Sequence, residues 1–226
     1  DIGIGDYTLT SITAYRTWDS TEVREGDWLD AGPAYVGINQ LHDFGPQTQD
    51  TFSQELRIAS PGGEFVDYVA GLYYAKTSAD RYFRRDTEVC RSSTLPADAT
   101  GLQPCTPTAS VIEAPSADAD FGADFDNFAA FADGTFNVAE RWRLIAGLRW
   151  TYDDLSFDHL YNFSPIPGPG IRSQPGGGTA RLSGSNSSDE LSGRAGAQFD
   201  FTDDMVGYAT YARGYKGPAY NVFFNM

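Results

Sequence analysis

Apolar and polar residues alternate with a period of two along much of this chain. The pattern is cleanest over Trp142–Tyr152. There Trp142, Leu144, Ala146, Leu148, Trp150 and Tyr152 fall on one side, and Arg143, Gly147, Arg149, Thr151 and Asp153 on the other. It returns where Leu191, Gly193, Ala195, Ala197, Phe199 and Phe201 oppose Ser192, Arg194, Gly196, Gln198 and Asp200, and where Phe52, Leu56 and Ile58 oppose Ser53, Glu55 and Arg57. Successive side chains of a strand point to opposite faces, so each stretch is predicted to be a strand with one apolar face. Seven strands are expected: Tyr7–Arg24, Thr48–Ala59, Val66–Arg84, Phe125–Val138, Trp142–Leu160, Glu190–Phe201 and Met205–Tyr220. The first and third alternate less evenly; Leu9 and Tyr15, and Tyr68, Ala70, Leu72 and Tyr74, are assigned to the apolar face.

The connections alternate too. Short turns are expected at Ser60–Asp67, Asn137–Arg141 and Phe201–Asp204, and Asp1–Asp6 reads as a turn before the first strand. Long polar loops are expected over about Asp27–Gln47, Asp86–Asp124 and Asn162–Asp189. The last contains Pro165, Pro167, Gly168, Pro169, Gly170, Pro175 and Gly176–Gly178, which break regular hydrogen-bonded structure. Antiparallel up-and-down strands with tight turns at one end and long loops at the other are the pattern of an outer-membrane β-barrel. A half-buried sheet in a secreted or surface β-sandwich binding or adhesion module alternates in the same way, and stands as the alternative. The two differ in what Trp142, Leu144, Leu148 and Trp150 meet: lipid in a barrel, protein in a sandwich. Gly and Ala on the apolar face suit lipid contact better than a densely filled core.

Composition sharpens this picture. No run of 18 apolar residues is present, so no transmembrane helix is expected, but a barrel strand needs only about 9–11 residues with alternate ones apolar. Mean hydropathy of -0.38 is therefore no objection. Aromatics make up 14% of the chain, and such rings gather at membrane–water interfaces. The net charge of -15 argues against nucleic acid as a partner. Much of the acid is read into loops: Glu22, Glu25, Asp27 and Asp30; Asp118, Asp120, Asp124 and Asp126; Asp203 and Asp204. A solvated acidic surface is one reading, divalent-cation binding beside anionic outer-leaflet lipid the other. Cys90 and Cys105 fall in one long loop and read as a disulfide, consistent with an oxidising compartment; a metal site would need further ligands, and neither His42 nor His159 is near in sequence. Two histidines and two bridged cysteines leave little material for Ser/His/Asp or Cys/His catalysis. No catalytic residue, metal ligand or cofactor is expected, and the chain is not read as an enzyme.

At residue level the chain resembles the barrel domain of TonB-dependent receptors. The resemblance rests on Tyr7-Thr8-Leu9-Thr10-Ser11-Ile12-Thr13-Ala14-Tyr15-Arg16, on Phe52-Ser53-Gln54-Glu55-Leu56-Arg57-Ile58 followed by Tyr68-Val69-Ala70-Gly71-Leu72-Tyr73-Tyr74, on the pair Phe131–Val138 and Arg141–Asp153, and on Tyr208–Gly217 with Asn221 shortly after. It implies an all-β, antiparallel up-and-down barrel, in this family of 22 strands, with a plug domain. Residues 1–226 would be part of that one barrel domain, an internal piece without the plug and remaining strands. It implies residence in the bacterial outer membrane among its lipids, energy supplied through the TonB complex, and uptake of a scarce nutrient, most often a ferric siderophore or similar metal chelate. Arg57, Arg149, Arg194 and Arg213 are assigned to the polar face with Glu55, Asp153 and Asp200, either as a ladder of cross-strand ion pairs or as contacts to plug or anionic substrate. Trp28, Tyr35 and Tyr161 are candidate substrate platforms, and as loop aromatics they are also suited to packing within their own loops.

Overall fold

In a computed structural model describing residues 1–27 and 32–220, the chain forms a single antiparallel sheet. Its strands are β1 (Ile2–Ile4), β2 (Tyr7–Glu25), β3 (Asn39–Ala59), β4 (Val66–Ser93), β5 (Ser110–Glu113), β6 (Ser116–Ala139), β7 (Trp142–Phe163), β8 (Gly178–Thr202) and β9 (Met205–Arg213). They pair in the order β1-β2-β3-β4-β6-β7-β8-β9, with β5 a short partner of the end of β4. Every pairing is to a sequence neighbour or around β5, as an up-and-down barrel requires. The sheet is not closed: β1 covers only Tyr7–Leu9 of β2, and β9 is the other edge.

Four tight turns lie at one end. Gly5-Asp6 joins β1 to β2, with Gly5 at φ 61°, a conformation that glycine adopts without penalty. The β3–β4 turn is fastened by Asp67, whose carboxylate accepts from the Gly63 and Glu64 amides at 2.9 and 3.3 Å and from the Asn137 amide at 3.0 Å. Glu140-Arg141 and Asp203-Asp204 complete the set.

The strands run much further than the sequence predicts. β3 begins at Asn39 rather than Thr48, β4 continues to Ser93, β6 begins at Ser116 rather than Phe125, and β8 begins at Gly178 rather than Glu190. The three long loops shrink to match, and Asp118–Asp126, read as loop, belong to β6. The cause is local: these extensions carry Asp, Gly and Asn, which weaken strand propensity, yet those of β6 and β8 are held by unbroken ladders to their neighbours. The last strand is shorter than expected. β9 stops at Arg213, and Gly214–Tyr220 crosses one face of the sheet, with Tyr215 Oη 2.5 Å from Ser188 Oγ and Tyr220 Oη 2.9 Å from His159 Nδ1.

Register assigns the faces. The outward row of β7 (Trp142, Leu144, Ala146, Leu148, Trp150) continues through Leu191, Ala195 and Ala197 of β8, Ala130 and Ala132 of β6, Tyr68, Ala70, Leu72 and Tyr74 of β4, Leu56 and Ile58 of β3, and Leu9 and Tyr15 of β2. The assignments in the first and third strands, where alternation is less even, thus stand. No second sheet covers this face among the described residues; Leu148 and Leu72 are each 61% exposed. The sandwich alternative, which buries these side chains in protein, is overturned.

Candidate functional site

The buried residues collect on the inward face, toward the long-loop end. Phe83 of β4, Ala119 and Phe121 of β6, and Tyr161 of β7 form one cluster, with Phe163 and Tyr220 packed against it. Period two places Phe83 beside Arg81 and Arg85 in the inward row of β4, and Tyr161 beside His159 and Phe157 in that of β7. The cations lie over the rings: Arg81 and Arg85 are 5.5 and 5.7 Å from the Phe83 centroid, and Arg172 of the long β7–β8 loop is 4.2 Å from that of Tyr161.

Carboxylates hold two of these arginines. Asp43, almost wholly buried, accepts from Arg85 Nε at 2.7 Å and Nη2 at 2.9 Å, and from Arg24. Burial alone would raise its pKa, but the hydrogen bonds from Arg85 and Arg24 hold it below the ordinary carboxylate value. Arg81 pairs with Glu22 at 3.0 Å. His159 is wholly buried, its ring 3.7 Å from that of Phe121 and 3.6 Å from that of Tyr161, and its Nε2 has no hydrogen-bond partner among the described residues. Burial, with a smaller contribution from Arg172, lowers its pKa to about 4, so the imidazole is neutral at pH 7.

The β7–β8 loop folds over this cluster. Arg85 Nη1 donates to Gly170 O at 3.3 Å, Arg91 donates to Pro167 O, and Gly168 abuts Pro115 and Thr87 so closely that a side chain there would clash. The other two loops brace each other. Cys90 and Cys105 are joined in a disulfide, and the segment it closes docks on the β2–β3 loop, where Cys105 N donates to Ala34 O at 2.9 Å and Val36 N to Gln103 O at 3.0 Å.

The sequence-predicted residues are only partly brought together. Tyr161 lies in the inward cluster. Tyr35 packs among the loops, donating to Asp98 at 3.0 Å; Trp28 lies outside the described residues, as does Asn221. Arg57 pairs with Glu55 at 3.2 Å, and Arg194 grips Asp133 through two bonds of 2.8 and 2.7 Å that pass over Gly147. Arg149 has a different environment. It lies 5.5 Å from the Tyr73 ring and 5.9 Å from that of Phe131, and lines an inward cavity of about 350 Å³ with Asn127, Asp153 and Tyr215. Arg213 departs from its assigned face: it stands opposite Gly193, in the outward row, at the last position of β9, and its guanidinium reaches Glu190 at 2.6 Å. Phe83, Phe121, His159, Arg81, Arg85 and Arg172 were not singled out from sequence. Alternation through Ala117-Asp118-Ala119-Asp120-Phe121 carried the signal, masked by its acid content.

A family model described as TonB dependent receptor-like, beta-barrel matches residues 3–225. The chain belongs to the TonB-dependent receptors. The family comprises transporters and receptors of the Gram-negative outer membrane, not enzymes. Among solved structures, the ferric yersiniabactin uptake receptor FyuA from Yersinia pestis matches with a TM-score of 0.66 and 21% identity over 96% of this chain and 27% of that one, a likeness of fold. The ferric-catecholate import receptor Fiu from E. coli K12, in its open form, gives a TM-score of 0.38 and 15% identity over 88% of this chain and 35% of that one. The chain thus spans about a quarter to a third of these receptors' length. A comparison with curated protein sequences gives no match.

Glu25 and Asp27, two of the acids for which divalent-cation binding is one reading, bring their ligand atoms within 4.8 Å of each other and of His42. Glu25 Oε2 and His42 Nδ1 lie 2.9 Å apart at the surface and Asp27 accepts from the Leu41 amide, contacts that account for the arrangement.

Proposed function

We propose that this chain is part of the barrel of an outer-membrane active transporter that imports a ferric siderophore or similar metal chelate. In this reading the plug and remaining strands belong to other parts of the protein and close the sheet at β1/β2 and β9. TonB supplies the energy, the tight turns face the periplasm, and the long loops face outside.

The observation that carries the membrane reading is the outward band of β7. Trp142–Tyr152 is about 33 Å of strand at roughly 3.3 Å per residue, or about 25 Å when tilted by about 40°, the height of an outer-membrane apolar girdle. Rings mark both limits: Trp142, Phe136 and Tyr68 toward the turns, and Tyr74, Phe128 and Tyr152 toward the loops. Beyond Tyr152 the outward positions become Asp154, Ser156 and Asp158.

The substrate reading rests on the inward cluster. Glu22 and Asp43 already hold Arg81 and Arg85, so the exposed guanidinium is that of Arg172 over the Tyr161 ring, a planar cation that suits an anionic chelate bearing carboxylate or phenolate oxygens. The test is uptake of ⁵⁵Fe-loaded chelates by cells making the full-length receptor. Arg172→Ala and Tyr161→Ala should raise the half-saturating chelate concentration while surface expression is unchanged. Uptake indifferent to both, or equal uptake without TonB, would contradict the proposal.

A further inference from the structure

The three long loops are held in different ways. The β2–β3 loop and the segment closed by the Cys90–Cys105 disulfide are tied to each other through their backbones. The β7–β8 loop has no covalent tie, and among the described residues its backbone-to-backbone hydrogen bonds are internal. They close it into one body. Ser164, 1% exposed, donates its amide to Arg172 O at 3.0 Å and accepts from Gln174 N at 3.0 Å, so the two arms meet at a neck. Beyond the neck, Pro165, Pro167 and Pro169 fix φ at alternate positions and stiffen the outgoing arm. Ile171 N turns back to Gly168 O at 3.3 Å. On the other side of the neck, Gly176, Gly177 and Gly178 take φ of 84°, 71° and 131°, beside Phe163–Gly178, the last pair of the β7–β8 ladder. A stiff body joined to a sheet through glycines can turn as one piece.

Single side-chain contacts fasten this body across the inward cluster. Arg91 donates to Pro167 O and Arg85 Nη1 to Gly170 O, while Arg172 lies over the Tyr161 ring. Both latching arginines have carboxylate partners of their own, Glu113 for Arg91 and Asp43 for Arg85, so releasing the loop strands neither charge. Gly168 is seated against Thr87 and Pro115 with no side chain to anchor it.

We propose that the β7–β8 loop is a flap, hinged at Gly176–Gly178 and latched by Arg85 and Arg91, that shuts the inward cluster and must swing out before an anionic chelate reaches Tyr161. The proposal deepens the substrate reading above and rests on it. Arg172 travels with the flap: shut, its guanidinium covers the ring, and opening uncovers ring and guanidinium together.

The experiment measures how fast fluorescein-5-maleimide, an anion with carboxylate and phenolate oxygens, labels Thr87→Cys in the full-length receptor in lipid vesicles. Thr87 is 2% exposed beneath Gly168, and both native cysteines of the chain are bonded. Ser183→Cys, exposed on β8, gives the rate of an uncovered thiol. Thr87→Cys should label far more slowly. Adding Arg91→Gln, which removes one latch, should speed its labelling about tenfold, the size of one hydrogen bond from a charged group. Adding Gly168→Leu, which cannot seat against Thr87 and Pro115, should bring it close to the Ser183→Cys rate. In Arg91→Gln the Ser164 and Gln174 amides should stay protected from hydrogen exchange, because the neck moves whole. Labelling of Thr87→Cys as fast as Ser183→Cys, or unchanged by both added substitutions, would overturn the flap. So would loss of neck protection in Arg91→Gln, which would mean a loop that unravels instead of swinging. These rates need no transported chelate, so the flap can fail while the uptake test above succeeds, and the reverse.

Discussion

In the half of β7 near the turns, the outward side chains are Trp142, Leu144, Leu148 and Trp150, and the inward ones include Arg143, Arg149 and Thr151. Past Tyr152 the same strand reverses: Asp154, Ser156 and Asp158 point outward, and Leu155, Phe157, His159 and Tyr161 inward. β6 does likewise, with Ala130, Ala132 and Phe136 outward near the turns, and Asp118, Asp120 and Asp124 outward near the loops, backed by Ala119 and Phe121. β4 passes from outward Leu72 and Tyr74 to outward Asp80 and Arg84 over inward Phe83. In the proposed outer-membrane setting, the reversal tracks a change of solvent. Within hydrocarbon the outward face must be apolar and the inward face carries the charge; above it water bathes the outside, and the only apolar environment left is the interior that the loops roof over. One period of two therefore serves two phases, and only the sign changes.

The sharpest way to break this comparison is to cut into the loop-side interior. Phe121→Ala should destabilise the receptor by about 3–5 kcal/mol through the cavity it leaves among Phe83, His159 and Tyr161. Its outward neighbour Asp120→Ala should change stability by no more than about 0.5 kcal/mol. Chemical denaturation of the full-length receptor in lipid vesicles measures both.

The membrane half should respond to charge in the opposite way. Leu148→Arg, near the centre of the band, should cost about 2–4 kcal/mol, and Leu144→Arg, closer to the turn-side rings, distinctly less. Ser156→Arg, outward beyond the band, should be near neutral. Equal costs at positions 148 and 156 would erase the distinction between the halves. Thr151 lies on the polar side of the alternation but is only 6% exposed beneath Arg149, whose Nε donates to its hydroxyl at 3.2 Å, so Thr151→Arg is expected to be disruptive as well.

Much of this was legible because an apolar row on alternate positions follows a simple rule. Trp142–Tyr152 and Leu191–Phe201 show their faces in sequence, and the turns at Ser60–Asp67, Asn137–Arg141 and Phe201–Asp204 fall at one end as expected, whereas Asp1–Asp6, read as a turn, contains the short strand β1 (Ile2–Ile4). The loop-side extensions were not legible as strands because the expected signal was apolar residues facing outward. Ala117–Phe121 and Phe157–Tyr161 keep the alternation with the opposite sign, among acids that also mark loops. The candidate site suffered most. Phe83, Phe121 and His159 meet only through strand pairing, and Arg172 reaches Tyr161 through a loop whose Pro and Gly content gives no hint of where it docks. Arg213 was misplaced because no alternation was read for its own strand; pairing puts it opposite Gly193, in the outward row.

Smaller effects refine the loop-side half. Replacing Cys90 and Cys105 together with Ser should cost about 3 kcal/mol in the chain-entropy account of a loop this size. Proteolysis of intact cells should then cut between Thr94 and Ala109 faster, while the tight turns stay protected. The pH response should be gentler still. His159 is neutral when folded, with a pKa lowered to about 4 against an ordinary 6.5, so protonation favours the opened state. Its contribution is fully present above pH 6.5 and is lost as pH falls toward 4. Loop proteolysis in vesicles should accelerate over that window, and His159→Phe should flatten the dependence.

The most direct test of the reversal is a spin-label scan of β7 from 142 to 162 in the full-length receptor reconstituted in lipid, with collision rates measured for oxygen and for a water-soluble nickel chelate. Labels at 144, 146, 148 and 150 should collide with oxygen and not nickel, those at 154, 156 and 158 with nickel and not oxygen, and those at 155, 157 and 159 with neither. A single uniform pattern along the outward row, with nickel reaching 144–150 as readily as 154–158, would contradict the account.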